Sequence, residues 1–186
     1  LSSLFYHHII YFLLVDRFHD GRERTVLSSG KGFGKEEQLK RSCGGNLKGI
    51  IQKLDYIKNL GCTAIWISPV WENNPESYHG YDIRNFLKID PRFGTEEDLF
   101  ELVRKAHQKE LKVILDVVIN HSGNNWSYKK EGEIFYSQGK TFDFGQWRYE
   151  NLPQPASLRN PELYFHRGMI RNWDRYPETR QGDFFH

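Results

Sequence analysis

Three apolar runs alternate with two stripes of helical period along this chain. The first run, Ile9-Ile-Tyr-Phe-Leu-Leu-Val15, is continuously apolar, the pattern of a strand buried on both faces. Leu47, Ile50, Ile51, Leu54, Ile57 and Leu60 then recur at helical spacing. Asn46 is placed to cap that helix, and Gly61 to take the left-handed position beyond its last turn. A second strand, Ala64–Ile67, stops at Pro69. Thr95-Glu-Glu-Asp98 reads as a capping box, and Leu99, Leu102, Val103 and Ala106 form the buried stripe of the helix it opens. The third strand, Val113-Ile-Leu-Asp-Val-Val-Ile119, follows after a very short turn.

The order strand, helix, strand, helix, strand predicts an α/β fold with parallel strands and right-handed crossovers. The connections are unequal. Helix-to-strand turns are short, whereas the segments from Asp16 to Asn46 and from Val70 to Gly94 are long loops. Long loops at the carboxyl ends of parallel strands are where α/β proteins bind ligands; otherwise they are tolerated insertions. Beyond His121 the pattern changes. Residues 122–186 hold 14 of the 28 aromatic rings but only five aliphatics: Ile134, Leu152, Leu158, Leu163 and Ile170. That segment reads as an irregular lobe, giving a division into 1–121 and 122–186.

Composition narrows the class. A net charge of +2 offers no electrostatic case for a nucleic-acid partner. Hydrophobic residues at 38% and charged residues at 27% mark a globular chain. No apolar run approaches the roughly 18 residues of a membrane span. Cys43 and Cys62 make no disulfide framework and lack metal-site spacing. The 186 residues suit one compact domain, or one domain with a lobe attached. The start at Leu1 and the ending Asp183-Phe-Phe-His186 lead us to expect a piece of something longer.

Few residues stand out as chemistry. Asp116 interrupts an apolar strand, so its carboxylate must be paired, for function or in a structural ion pair. Asn120 and His121 follow on the loop-bearing side, where His121 is a proton carrier, a ligand or a hydrogen-bond donor. Tyr78-His-Gly-Tyr-Asp82 is either a packed aromatic turn or a wall with polar tips suited to the apolar face of a sugar. Gly30, Gly32 and Gly34 match no phosphate-loop spacing. His7 and His8, at the opposite end of strand one, read as structural. Arg159, Arg167, Arg171, Arg175 and Arg180 alternate with acids and read as a solvated surface.

These pieces, in this order, resemble the α-amylase family of glycoside hydrolases. The matching stretches are Tyr11–Phe18, Gly44-Gly-Asn-Leu-Lys-Gly49, Leu60–Pro69, His79-Gly-Tyr81, Phe93-Gly-Thr95 and Asp116-Val-Val-Ile-Asn-His121. The resemblance implies the first three βα units of a (β/α)8 TIM barrel, incomplete, with 122–186 as the irregular domain B inserted after strand three. It implies that Tyr81 stacks on the sugar at the cleavage subsite, that His121 hydrogen-bonds that sugar and that His79 lies beside it. Asp116 would support the site by pairing with an arginine of strand four. Asn120 matches a position that binds a structural calcium in many members, although the chemistry itself requires no cofactor.

By the same resemblance, the whole protein is a retaining enzyme acting on α-linked glucans or maltooligosaccharides. Its three catalytic carboxylates belong to strands four, five and seven, beyond this chain, so the 186-residue chain alone is expected to be inactive. A complete barrel takes about 250 residues and rarely fewer than about 200. The expected partners are the α-glucan substrate and the remainder of the barrel. The alternatives are a glucanotransferase of the same family and a non-catalytic homologue used for partner binding. The loop after strand one has Arg22, Arg24 and Thr25 where calcium would need oxygen ligands, which argues against a cation there.

Overall fold

The computed structural model describes residues 6–22, 41–172 and 174–183. The glycines at 30, 32 and 34, with Arg24 and Thr25, lie outside those residues.

The chain divides into two compact units. Among the described residues the first takes the chain up to Tyr81 and Lys88–Val117; the second takes Asp82–Leu87 and the chain from Val118 onward. In the first unit, β1 (Ile10–Leu13), β2 (Ala64–Ile67) and β5 (Lys112–Leu115) form a parallel sheet in the order β1-β2-β5. Its register aligns Phe12, Trp66 and Ile114 in one row, and Leu13, Ile67 and Leu115 in the next. Side chains alternate across the sheet. Leu13, Ile65 and Ile67 join the core with Leu47, Ile50, Leu54 and Ile57 from the helices α2 (Leu47–Gln52) and α3 (Leu54–Asn59), and with Leu102 and Ala106 of α4 (Glu96–Gln108). The opposite face carries Ile10, Phe12 and Trp66, which are 43%, 48% and 40% exposed and therefore lie outside that core.

Both helix starts follow the sequence. The Asn46 side chain accepts from the Gly49 N–H at 2.9 Å. Thr95 and Asp98 exchange side-chain and backbone bonds at 3.2 and 3.0 Å, a complete capping box. Gly61 takes φ +85°, and His8 is structural, with Nδ1 2.8 Å from Thr63 Oγ1. Four details differ from the sequence pattern. The helix expected over 47–60 breaks at Lys53, whose φ of −103° and ψ of 10° leave the helical range and whose N–H bonds back to Ile50 O, three residues before it, at 3.0 Å. The apolar runs overstate strands one and three. Val15–Phe18 forms a helical turn, α1, whose Arg17 N–H bonds to Leu14 O at 3.1 Å. The β5 ladder ends with the Asp116 N–H on Ile67 O, because β2 itself ends there. Finally, the long loop from Val70 to Gly94 contains β3 (Trp71–Asn73) and β4 (Ile83–Ile89), a two-stranded sheet.

The second unit is built on rings, as its scarcity of aliphatics requires. The strands β6 (Trp126–Tyr128) and β7 (Phe144–Trp147) pair antiparallel. Trp126 has ring centroids of Tyr128, His166 and Phe144 at 4.8, 4.9 and 5.6 Å. Trp126, Ile134 and Tyr164 are buried, so a share of the aromatic residues forms this unit's own core. Three 3-10 turns (Tyr149–Asn151, Ala156–Arg159 and Pro161–Leu163) and a last helical turn, α5 (Glu178–Gln181), complete it. The segment 82–87 belongs here through its backbone. Ile83 O accepts from Gly123, Arg84 O from Gln154, and Phe86 N–H donates to Gln154 O, at 2.6, 2.8 and 3.0 Å.

Candidate functional site

Parallel strands put all their carboxyl ends on one side, and three of the chain's polar features gather there. Asp16 and Arg17 follow β1, the loop to Tyr81 follows β2 and β3, and Asp116 follows β5.

Asp116 is half-buried, and the Tyr81 hydroxyl donates to its Oδ2 at 2.9 Å. Burial pushes the Tyr81 phenol up to about 12, with the bond to Asp116 acting in the same direction, so this hydroxyl stays a donor throughout the neutral range. The Tyr81 N–H donates to His79 Nδ1 at 3.0 Å. An amide can only donate, so the neutral ring carries its proton on Nε2, which lies 3.1 Å from Ser77 Oγ. The His79 and Tyr81 rings are stacked, with centroids 5.9 Å apart and planes 27° apart. Gly80 makes this possible. It sits at φ +91°, and a Cβ there would lie 2.4 Å from Pro69 O.

The loop is anchored at its start as well. Asp90 is buried and accepts from Asn73 N–H at 3.0 Å and from Arg92 Nη2 at 2.7 Å. Burial alone would raise its carboxyl, but the Arg92 bonds together with the Asn73 N–H outweigh that and hold it below the usual value. Arg92 also donates to Pro75 O at 3.0 Å.

Asp16 and Arg17 escaped the sequence reading. Asp16 is 2% exposed. Its carboxylate takes the Cys43 and Gly44 N–H groups at 2.9 and 3.1 Å and the Ser42 hydroxyl. Arg17 Nη1 lies 2.5 Å from Cys43 Sγ, and its guanidinium sits 3.9 Å from the centre of the Tyr78 ring. The available signal was the one that marked Asp116: a carboxylate at the end of an apolar strand.

Asn120 and His121 belong to the second unit, whereas His79, Tyr81 and Asp116 belong to the first. Asn120 Nδ2 lies 3.2 Å from His121 Nδ1. Among the described residues no three His, Cys, Asp or Glu side chains gather as a metal site. Calcium takes about six to eight oxygen ligands and Asn120 supplies one at most, so these residues alone do not fit a calcium cage. The second unit also contains a cavity of about 960 Å³, lined by Trp126, Tyr128, Arg148 and Asp183 among others and by none of the five residues singled out in the sequence. There the Tyr128 hydroxyl donates to Asp183, whose Oδ1 also accepts the Gly168 N–H at 2.8 Å. Burial raises both the Tyr128 phenol and the Asp183 carboxyl. This closed set of bonds ties three segments of the unit together.

Comparison with known proteins gives the family. The chain is 48% identical over 113 residues to α-amylase 2 of Dictyoglomus thermophilum, a match covering 61% of this chain and 18% of that one. The α-amylase of Geobacillus thermoleovorans, solved with acarbose, superposes with a TM-score of 0.63 at 32% identity, over 96% of this chain and 33% of its own. The cyclomaltodextrin glucanotransferase CldA superposes with a TM-score of 0.62 at 33% identity, over 96% and 38%. The chain thus spans well under half the length of these relatives. The sequence model of the alpha-amylase catalytic domain matches residues 12–182, and the chain belongs to the α-amylase family of glycoside hydrolases.

Proposed function

We propose that this chain is the first portion of the catalytic barrel of a retaining glycoside hydrolase acting on α-linked glucans, with 122–186 as the lobe inserted after the third barrel strand. The observation that carries the reading is the Tyr81–Asp116 pair, with His79 stacked beside Tyr81, at the carboxyl ends of parallel strands.

In this reading the Tyr81 ring offers a flat apolar face to a sugar while its hydroxyl is held by Asp116. His79 fixes the loop through the Tyr81 N–H, and the family resemblance assigns His121 a hydrogen bond to sugar. Asp116 orients Tyr81 and takes no proton from substrate. A retaining mechanism needs a nucleophile and an acid about 5 to 5.5 Å apart across the scissile bond. That pair comes from later strands, outside this chain. The row of Phe12, Trp66 and Ile114 supports the incomplete barrel: it faces away from the helices, as residues filling a barrel interior do.

A second reading, transfer to another sugar in place of water, is favoured by the comparable likeness to a glucanotransferase and to a hydrolase, with TM-scores of 0.62 and 0.63. Product analysis on maltooligosaccharides separates the two. The whole protein should shorten or rearrange them, and Tyr81→Ala should lower kcat/KM by about tenfold or more. The 186-residue chain alone should turn over none. Absence of turnover by the whole protein, or measurable hydrolysis by the chain alone, overturns the proposal.

A further inference from the structure

The geometry points to Arg17 as a positioning residue that sets the sugar-facing loop through Tyr78; this rests on the glucan-binding reading of that loop. The loop from Asn73 to Tyr81 is pinned at three places by three different chemistries. Its start is held by Asp90 and Arg92, which bond to Asn73 N–H and Pro75 O at 3.0 Å each. Its end is held by Tyr81 on Asp116 at 2.9 Å. Between them the guanidinium of Arg17 lies 3.9 Å from the Tyr78 ring centre, within cation–π range.

Arg17 is not needed to hold its neighbour Asp16. That carboxylate already accepts from Ser42, Cys43 and Gly44, and the nearest Arg17 nitrogen is 3.5 Å away. The loop at 44–46 is likewise fixed without Arg17, by Gly45 N–H on Asp16 O at 2.8 Å and Asn46 N–H on His19 O at 3.0 Å. What Arg17 adds is a bridge from Cys43 Sγ, at 2.5 Å, to the face of Tyr78. Tyr78 in turn meets the His79 ring edge-on at 5.4 Å. A displaced Arg17 therefore releases the middle of the loop while both ends stay fixed. Such a change weakens ground-state and transition-state sugar contacts alike, so it raises KM and spares kcat.

Two perturbations of the whole protein test this. One is Arg17→Met, with Arg17→Lys as the conservative variant. The other is alkylation of Cys43 by N-ethylmaleimide; Cys43 is exposed and Cys62 buried, and Cys43→Ser is the unreactive control. On maltopentaose, Arg17→Met should raise KM about fivefold with kcat within about twofold, and Arg17→Lys should fall between it and the unsubstituted protein. Alkylation should reproduce the Met phenotype, add nothing to it, and leave the KM of Cys43→Ser unaltered. A fluorine label on Tyr78, introduced as 3-fluorotyrosine and assigned with Tyr78→Phe, should shift in both cases. An unmoved fluorine resonance, or an unchanged KM with folded Arg17→Met or alkylated protein, overturns the inference. No turnover by the unsubstituted protein overturns the glucan reading instead, and the fluorine resonance then decides Arg17 and Tyr78 alone. Should Arg17→Met fail to fold, the alkylated protein supplies the same two outcomes.

Discussion

Replacing Tyr81 with phenylalanine removes one oxygen and leaves the ring, so it isolates the hydroxyl's bond to Asp116 at 2.9 Å. The phenol stands at about 12 against its ordinary 10.0. Two pH units correspond to about 2.7 kcal/mol, a ceiling of which burial of the phenol accounts for the largest share and the bond for the rest. Tyr81 is only partly buried, and solvent screening brings this down to about 1 kcal/mol, the usual net worth of one such bond. For a chain of this size that amounts to about 2–4 °C in Tm. The pH dependence has a defined sign. Because the folded value is raised, the stabilisation is complete below about pH 10, where the unfolded phenol is still protonated, and disappears as pH rises through about 12. Urea unfolding followed by circular dichroism at pH 7, 9 and 11 gives the difference between the two proteins. The gap should be equal at pH 7 and 9 and smaller at pH 11. A variant as stable as the parent at pH 7, or a gap that does not narrow at pH 11, refutes the reasoning.

Two further substitutions probe the loop's supports. Asp90→Asn should cost about 3 kcal/mol at pH 7, because Arg92 loses its buried partner; the carboxyl is held below its usual value, so the difference from the parent should vanish as pH falls below about 4, read by urea unfolding at each pH. Gly80→Ala should cost about 2 kcal/mol or more in thermal unfolding, since its Cβ would lie 2.4 Å from Pro69 O at a φ of +91°.

Much of the fold could be read in the sequence because its cues are local. Asn46, Thr95, Asp98 and Gly61 act within a few residues of themselves, and the structure finds each in its expected role. The strand limits were less legible. An apolar run records burial, not pairing. Val117 and Ile119 continue the run of β5 but are 53% and 84% exposed, beyond the point where β2 offers partners. The pair of Asp116 and Tyr81 spans 35 residues, and that of Arg17 and Tyr78 joins α1 to a distant loop. No periodicity encodes such meetings. Family resemblance supplied Tyr81, whereas Arg17, the Asp16 cradle and the Asp90–Arg92 anchor needed coordinates.

The ring cluster of the second unit gives the chain an optical gauge. An indole's emission moves to shorter wavelength when water is excluded, and it gains excitation energy from tyrosines close by. Trp126 is 8% exposed and has Tyr128 at 4.8 Å and His166 at 4.9 Å, whereas Trp66 of the first unit is 40% exposed beside Phe12. Opening of the ring cluster therefore moves the Trp126 emission to longer wavelength, while Trp66, already partly in contact with water, changes less. Read as the difference from a Trp126→Phe variant, that shift follows the opening of β6 without any introduced label.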